Sequence, residues 1–221
     1  MTTAKSSFRA GLARPAVTEQ DKQERTERMA REAIANHDAF KNCSISVYTK
    51  GSYANNTNVQ ADSDVDVAVQ CHEVVYWDNA PGANRSSDSP YRGIWTPEKL
   101  RTEVVAALQA RFPGQVDNSG STAIAVHSSS ARVDADVVPC FDYHYYFASG
   151  VHREGTKVFR KSGTSFENYP AQHLANGRSK SNATNGSFKK AVRILKRVEN
   201  LMVNGNYHRE VPFVFRRVPR L

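Results

Sequence analysis

Two short segments in which aspartate alternates with valine and alanine constrain this chain more than any other feature. Residues 64–70 (DVDVAVQ) and 131–138 (ARVDADVV) alternate with a period of two, which predicts two β-strands that each bury one face. Each segment carries two aspartates two positions apart, so both carboxylates lie on the same face of their strand. Carboxylates this close repel one another, and burying them unpaired is costly. The pattern therefore predicts that a positive group lies among them.

A divalent cation fits this requirement better than a side chain does. No basic residue lies in the interior of either segment, although Arg132 borders the second. If the strands are neighbours, three or four carboxylates come together, and Mg²⁺ or Mn²⁺ prefers oxygen ligands of this kind. We predict that Asp64 and Asp66 supply ligands from the first strand. Asp134 and Asp136 are the candidates from the second.

A glycine–serine turn precedes the first of these strands. Gly51 allows the backbone to approach a phosphate closely, and Ser52 offers both an N–H group and a hydroxyl. Asn55, Asn56 and Thr57 add short polar side chains. Because Mg²⁺ usually shares its ligand shell with substrate phosphates, the turn and the carboxylates belong to one site. A glycine–serine pair or a D-x-D motif alone is a weak signal, but the ordered set indicates nucleotidyl transfer.

The remaining periodicities predict an alternation of helices and short strands. Helices are predicted over 18–40, 96–112 and 184–203, and further strands over 44–49 and 121–127. We expect Pro139 to end the strand 131–138 and residues 141–147 to form an edge strand. Residues 78–95 and 160–187 are rich in turn formers and are expected to be irregular. These elements predict an α/β (α+β) fold, with a small mixed sheet and helices mainly on one face.

Composition excludes several classes of protein. The 221 residues contain no apolar run of about 18 residues, which predicts that no segment crosses a membrane. The N-terminal residues lack the apolar core of a signal peptide. The three cysteines, Cys43, Cys71 and Cys140, are widely spaced and fit neither a disulfide framework nor a C-x-x-C metal site. A reducing cytoplasm is the expected location.

Positive charge is concentrated in the last third of the chain. Residues 1–150 contain 15 Lys and Arg against 18 Asp and Glu, a net charge of −3. Residues 151–221 contain 15 against 4, a net charge of +11. Such a segment attracts polyanions. It predicts either a solvated basic face or weak nucleic-acid binding through the C-terminal third.

The histidines do not suggest a metal site in the sequence. His127, His144, His152 and His173 do not pair with one another or with cysteine at ligand spacing. We therefore expect them to be isolated histidines on strands or on the surface.

Together these segments resemble a known family. The stretch GSYANNTNVQADSDVDVAV followed by RVDADVVPCF is similar to the nucleotidyltransferase core of the CD-NTase family. These proteins are bacterial relatives of cyclic GMP-AMP synthase and oligoadenylate synthase. The downstream HLANGRSKSNATNGSFKKAVRILKRV resembles that family's helix beyond the active site. The resemblance implies a polymerase-beta-type nucleotidyltransferase core.

The resemblance also assigns roles by position. It implies that Asp64 and Asp66 ligate two Mg²⁺ or Mn²⁺ ions. The third ligand matches Asp136, because DVVP follows it directly, although Asp134 remains a rival. The third acid would also help to deprotonate the attacking hydroxyl. The residues implied to bind nucleotide are Gly51, Ser52, Asn56, Lys180, Lys189 and Lys196.

The implied reaction is an in-line displacement that joins ribonucleoside triphosphates, ATP, GTP or others, with loss of pyrophosphate. In the family, repeated transfers close a cyclic di- or trinucleotide that acts as an alarm in anti-phage defence. The resemblance also implies a regulatory protein partner. Two alternatives stay open at this point. One is transfer of a nucleotide to an RNA end, a protein or a small molecule. The other is an inactive remnant that only binds nucleotide or nucleic acid.

Three regions are expected along the chain. They are a flexible basic tail over 1–17, a nucleotidyltransferase core with an N-terminal spine helix over 18–175, and the start of a helical lobe over 176–221. The last residues, EVPFVFRRVPRL, show no helical stripe, so we expect this lobe to be incomplete. Apolar surface on the helix 184–203 would then be exposed.

Overall fold

The chain folds around a mixed seven-stranded sheet. The computed structural model describes residues 17–59, 64–83, 91 and 93–204. The helices are α1 (Val17–Ala35), α2 (Gly51–Ala54), α3 (Pro97–Arg111), α4 (Pro170–Ala183) and α5 (Ser187–Asn204), with a 3-10 turn at Asp38–Phe40. The strands are β1 (Ile45–Thr49), β2 (Val65–Asn79), β3 (Val116–Asp117), β4 (Ile124–Val126), β5 (Ala135–Tyr146), β6 (His152–Phe159) and β7 (Ser165–Asn168). The predicted tail 1–17, apart from its last residue, and the final residues 205–221 lie outside the described residues.

Strand order places the two aspartate-bearing strands side by side in the middle of the sheet. The order is β1-β2-β5-β4-β3, and β6 pairs with β5 and with β7. Strands β2 and β5 run parallel, whereas the other pairs are antiparallel. The predicted fold class, a mixed sheet with flanking helices, is confirmed. No described helix is both long and apolar enough to cross a bilayer.

One face of the sheet carries the main core, under α1 and α3. The valines of β2 and β5 that point to this face are fully buried, as the alternation predicted: Val65, Val67, Val69 and Val137. Helix α3 begins as predicted, because the Thr96 hydroxyl accepts a hydrogen bond from the Lys99 N–H at 3.1 Å and Pro97 follows the cap. Its apolar stripe is buried throughout: Leu100, Val104, Leu108 and Phe112.

Helix α1 is tied to the strands by two buried polar side chains. Thr26 Oγ1 accepts a hydrogen bond from the Val133 N–H at 3.1 Å, just before β5 begins. Gln23 Oε1 accepts one from Asn58 Nδ2 at 3.1 Å, in the segment after α2. Because α1 contacts both segments, it fixes the start of β5 relative to the glycine–serine turn.

The two central strands are longer than predicted. Strand β2 continues to Asn79, into residues that we expected to be irregular, and β5 continues to Tyr146. Residues 141–147 were wrongly predicted to form an edge strand, because this part of β5 lies between β2 and β6. Pro139 does not end β5 either. On the side away from β2, the pairing of β5 with β4 extends only as far as Val137, opposite Ile124. Its pairing with β6 starts at Cys140, opposite Val158. Pro139 lies in the gap between these two ladders, so its missing N–H interrupts no described ladder.

Residues 160–187 were wrongly predicted to be irregular. They contain β7 and the 14-residue helix α4, which begins with Pro170. Helix α5 then begins at Ser187, after a turn in which Asn185 and Gly186 have positive φ angles. The predicted 184–203 helix is otherwise confirmed. On its apolar face Leu195 is 42% exposed and Leu201 is 58% exposed.

Candidate active site

The central relationship of the site is the register between the two aspartate strands. In the parallel pair of β2 and β5, Asp66 stands directly opposite Asp136, so their Cα atoms are about 4.8 Å apart, the usual spacing of neighbouring strands. The alternation that buries Val65 and Val67 on one face turns Asp66 to the other, where it is half-buried. Asp64 lies one residue before β2 and is exposed. The structure therefore brings these predicted carboxylates to one end of two neighbouring strands.

Asp134, the rival to Asp136, has another partner. Its Oδ1 atom accepts a hydrogen bond from the Ser128 N–H at 2.8 Å and lies 3.9 Å from His127 Nδ1. Its carbonyl accepts from the Val65 N–H at 3.0 Å. Asp136, by contrast, makes no side-chain hydrogen bond or ion pair with any described residue. This difference favours Asp136 as the third ligand.

The glycine–serine turn lies directly against these carboxylates. Gly51 has φ +67°, and a Cβ atom built on it would stand 2.0 Å from Asp66 Oδ2. The turn is joined to β2 by a hydrogen bond from the Lys50 N–H to the Asp66 carbonyl at 2.9 Å. Only glycine has both the backbone freedom and the space that this position requires.

Hydrogen bonds within the turn fix its shape. The Gly51 carbonyl accepts from both the N–H and the Nδ2 of Asn55 at 3.2 Å. The Ser52 carbonyl accepts from the Thr57 N–H at 2.9 Å. The first N–H groups of a helical turn have no partner within the helix, and no hydrogen bond among the described residues uses the N–H or hydroxyl of Ser52. These donors suit a phosphate.

Helices α4 and α5 contact the residues that follow this glycine–serine pair. A Cβ atom on Gly177 of α4 would stand 2.5 Å from Asn55 Oδ1. Arg193 of α5 is 6% exposed and donates from Nη1 to the Asn56 carbonyl at 2.8 Å. Asn56 adopts φ +55°, which holds that carbonyl in place. The sequence placed Arg193 on a basic face but did not single it out, because its contact is with a residue 137 positions away.

The predicted lysines flank this contact. Lys189 and Lys196 stand four residues before and three residues after Arg193, so all three share one side of α5. Both lysines are half-buried. Lys180 lies on α4, three residues after Gly177, and is exposed. The side of α5 that faces the glycine–serine turn is therefore strongly basic.

An apolar floor continues the same sheet face beyond the carboxylates. Ala68 and Val138, each two residues beyond a paired aspartate, are buried with Cys140 and Val158, and the rings of Tyr48 and Phe166 pack against them. Burial raises the pKa of Cys140 to about 12, so this thiol stays neutral and is no nucleophile at pH 7.

The donor set suits a hard divalent metal. Three carboxylates, Asp64, Asp66 and Asp136, lie at one end of the strands, and no described Lys or Arg forms an ion pair with Asp136. Oxygen-only ligands of this kind are typical of Mg²⁺ and Mn²⁺ sites.

Comparison with known proteins gives matches over most of the chain. A family model described as the cGAS/DncV-like nucleotidyltransferase C-terminal helical domain matches residues 175–214. The cyclic dipyrimidine nucleotide synthase CdnE of Cecembia lonarensis is 35% identical over 190 residues, which are 86% of this chain and 64% of that protein. The enzyme of the same name from Legionella pneumophila is 35% identical over 199 residues, 88% of this chain and 68% of that protein. The chain thus spans about two thirds of the length of these relatives.

The fold also matches a solved structure of a relative. The structure of the Rhodothermus marinus CdnE c-UMP-AMP synthase with Apcpp and Upnpp superposes with a TM-score of 0.77 at 26% identity, covering 92% of this chain and 69% of that one. The 35% identity over 68% of the Legionella pneumophila protein establishes common descent. With the paired aspartates and the glycine–serine turn in place, the chain belongs to the CD-NTase family, as the sequence resemblance predicted.

Proposed function

We propose that this chain carries the active site of a metal-dependent nucleotidyltransferase that joins ribonucleoside triphosphates into a cyclic di- or trinucleotide. The observation that carries the proposal is the register of Asp66 opposite Asp136, with Gly51 against the Asp66 carboxylate. The named activities of the relatives, all cyclic nucleotide synthases, support the choice of a nucleotide as both donor and acceptor.

The chain's own residues would divide the task as follows. Asp64, Asp66 and Asp136 would hold one or two Mg²⁺ or Mn²⁺ ions. Bound there, such ions stabilise charge on the donor triphosphate and lower the pKa of a ribose hydroxyl on the acceptor. Asp136, which has no described hydrogen-bond partner, would take up the proton of that hydroxyl as it attacks the α-phosphate and pyrophosphate leaves.

The glycine–serine turn and the basic side of α5 would hold the triphosphate. The Ser52 N–H and hydroxyl supply hydrogen bonds to phosphate oxygens, in a turn whose backbone is already ordered. Lys189 and Lys196, with Lys180 from α4, add positive charge, and Arg193 keeps α5 on the turn through the Asn56 carbonyl. The apolar floor around Val138 suits the face of a base or ribose.

A product assay tests the proposal. The purified chain is incubated with each labelled ribonucleoside triphosphate in the presence of the other three and Mg²⁺ or Mn²⁺, and then treated with phosphatase. We expect label that resists phosphatase from the wild-type chain and from Asp38→Asn, which makes the same chemical change on the surface. We expect none from Asp66→Asn or Asp136→Asn.

The other outcomes identify the alternatives. If label appears on added RNA, on protein or on a small acceptor, the reaction is transfer of a nucleotide to that acceptor and not cyclic synthesis. Salt-dependent binding of nucleic acid with no turnover of any triphosphate would replace it by a binding remnant. A role as an alarm in anti-phage defence, and control by a protein partner, are parts of the same proposal and follow from the family alone.

A further inference from the structure

A second group of metal-ligating side chains lies at the far end of β5 and β6. His144, His152 and Glu154 each offer one ligand atom, and these atoms all lie within 4.8 Å of one another. His144 is eight residues beyond Asp136 on the same strand, roughly 26 Å at the usual rise of a β-strand. The group is therefore separate from the candidate active site. We had expected these histidines to be isolated, and for His144 and His152 that prediction was wrong.

The β5–β6 ladder holds these side chains together. His144 stands opposite Glu154, and Tyr146 stands opposite His152, in the antiparallel register. Opposite residues and residues two apart on one strand point to the same face, so all four side chains share one surface. The imidazole rings of His144 and His152 stack with their centroids 4.2 Å apart and 29° between their planes. The backbone ladder, not a flexible loop, sets their spacing.

The remaining contacts of the group resemble those of a ligand set. His152 Nε2 lies 3.6 Å from Glu154 Oε1. The Tyr146 hydroxyl lies 3.3 Å from His144 Nδ1, a contact of the kind that orients a ligating imidazole from outside the metal's shell. His152 and Glu154 are 34% and 81% exposed, so an ion from solvent reaches them without any opening of the fold.

The chemistry of the set selects the ion. Two imidazoles and one carboxylate are typical ligands of Zn²⁺ and of Co²⁺, Ni²⁺ and Cu²⁺, whereas Mg²⁺ and Mn²⁺ prefer oxygen. Ligand atoms around a tetrahedral zinc ion stand about 3.3 Å apart, given bonds of about 2.0–2.1 Å. The ligand atoms lie within 4.8 Å of one another, so an ion requires them to approach by up to about 1.5 Å, a distance within the range of side-chain rotation.

We propose that His144, His152 and Glu154 form a transition-metal site, selective for Zn²⁺-like ions, that clips β5 to β6. A water or an exogenous ligand completes the shell, because the described residues supply three ligands. The proposal concerns a structural site and is independent of the nucleotidyltransferase proposal.

Cobalt is the probe, because its visible spectrum reports imidazole ligation and tetrahedral geometry. The full chain without a histidine tag is titrated with Co²⁺ at pH 7.5, and Zn²⁺ is then added to displace it. We expect one equivalent with absorption bands between about 500 and 700 nm that Zn²⁺ abolishes. His144→Ala and His152→Ala should weaken binding at least tenfold, and Glu154→Gln should weaken it by less, since that carboxylate is the most exposed ligand.

Two matched controls separate this site from others. His127→Ala removes an exposed histidine beside Asp134, and Asp66→Asn/Asp136→Asn removes the carboxylate pair. Both should retain the cobalt bands. Bands that persist in His144→Ala/His152→Ala, or that vanish in Asp66→Asn/Asp136→Asn, would overturn the proposal. So would a wild-type chain that shows no bands at all.

A second measurement does not depend on any variant folding. In the wild-type chain, the ring nitrogens of the histidines are followed by two-dimensional ¹H–¹⁵N spectroscopy as Zn²⁺ is added. Two of the seven histidines should shift together and saturate at one equivalent. Shifts spread over all histidines, or none, would contradict the assignment.

Discussion

The Asp66 carboxylate packs directly over the Cα atom of Gly51: a methyl group on Gly51 would stand 2.0 Å from Asp66 Oδ2. The glycine that begins the proposed phosphate-binding turn is thus also the glycine that makes room for a proposed metal-binding carboxylate. Gly51 therefore links the turn to the carboxylates. A hydrogen bond from the Lys50 N–H to the Asp66 carbonyl joins the same two segments. A change at Gly51 should therefore affect catalysis far more than it affects folding.

Replacing Gly51 tests that relationship. Gly51→Ala should abolish product formation, because the new methyl group displaces the Asp66 carboxylate, and should cost about 1–3 kcal/mol of stability from the positive φ angle. Gly114→Ala is the matched control, because Gly114 has φ +72° but nothing within 4 Å of the added atom. We expect a similar loss of stability with activity retained. Urea unfolding and the product assay measure both, and equal activity in the two variants would refute the contact's role.

The two candidates for the third carboxylate should respond in opposite ways. Asp136→Asn should lower turnover by roughly a hundredfold or more without loss of stability, because the carboxylate has no described hydrogen-bond partner. Asp134→Asn should retain turnover but weaken the hydrogen bond from the Ser128 N–H and thus lower the urea midpoint. The reverse pattern would make Asp134 the ligand.

Removing Arg193 should release α5 from the glycine–serine turn. Arg193→Ala removes the hydrogen bond from Nη1 to the Asn56 carbonyl, which should cost about 1.5–3 kcal/mol of stability and raise KM for the triphosphate more than it lowers kcat. Arg193→Lys should restore only part of this, because an ammonium group lacks the guanidinium fork. Lys190→Ala, on an exposed position of the same helix, is the control. A variant with wild-type KM would show that α5 does not position the turn.

Acid stability should depend in part on Glu103, which contacts Lys99 within α3 and His37 just after the end of α1. The Lys99 ammonium, and then His37, hold the pKa of Glu103 below its usual value, through contacts of 2.5 Å and 2.7 Å. Because the folded pKa is depressed, this contribution is fully present above about pH 4.5 and is lost as the pH falls through the folded pKa.

Glu103→Gln should therefore lower the urea midpoint at pH 7 and reduce the further drop between pH 5 and pH 3. Glu98→Gln, in the first turn of the same helix, should leave the acid limb as steep as in the wild-type chain. Superimposable pH profiles for Glu103→Gln and the wild-type chain would exclude the contacts of Glu103 as a source of acid sensitivity.

Local patterns were enough to predict the two aspartate-bearing strands and the face of their carboxylates, but not the full length of these strands. The alternation around Asp66 and around Asp136 requires one buried face, so it also determined which side the carboxylates occupy. The helix predicted over 96–112 likewise matches α3, which begins at a local cap formed by Thr96. These predictions succeeded because the interactions that stabilise each element are close in sequence.

Long-range relationships could not be predicted in the same way. Helix α4 is rich in serine and asparagine and contains Gly177, all weak helix formers, yet Gly177 is what lets the helix approach Asn55. The contact between Arg193 and Asn56 and the pairing of His144 with His152 both depend on registers that tertiary structure sets. Pro139 is tolerated inside β5 because it lies between the residues of β5 that pair with β4 and those that pair with β6.

The mass of the phosphatase-resistant product tests the central claim most directly. The wild-type chain and Asp66→Asn are incubated with the four ribonucleoside triphosphates and Mg²⁺ or Mn²⁺, and the products are analysed by mass spectrometry. We predict a product from the wild-type chain and none from Asp66→Asn. Its mass should equal that of two or three nucleoside monophosphates less one water for each monophosphate, as ring closure requires. A linear product, which phosphatase treatment leaves lighter than the ring by one HPO₃ less one water, would contradict the assignment of this site to cyclic nucleotide synthesis, and so would nucleotide that binds and is never converted.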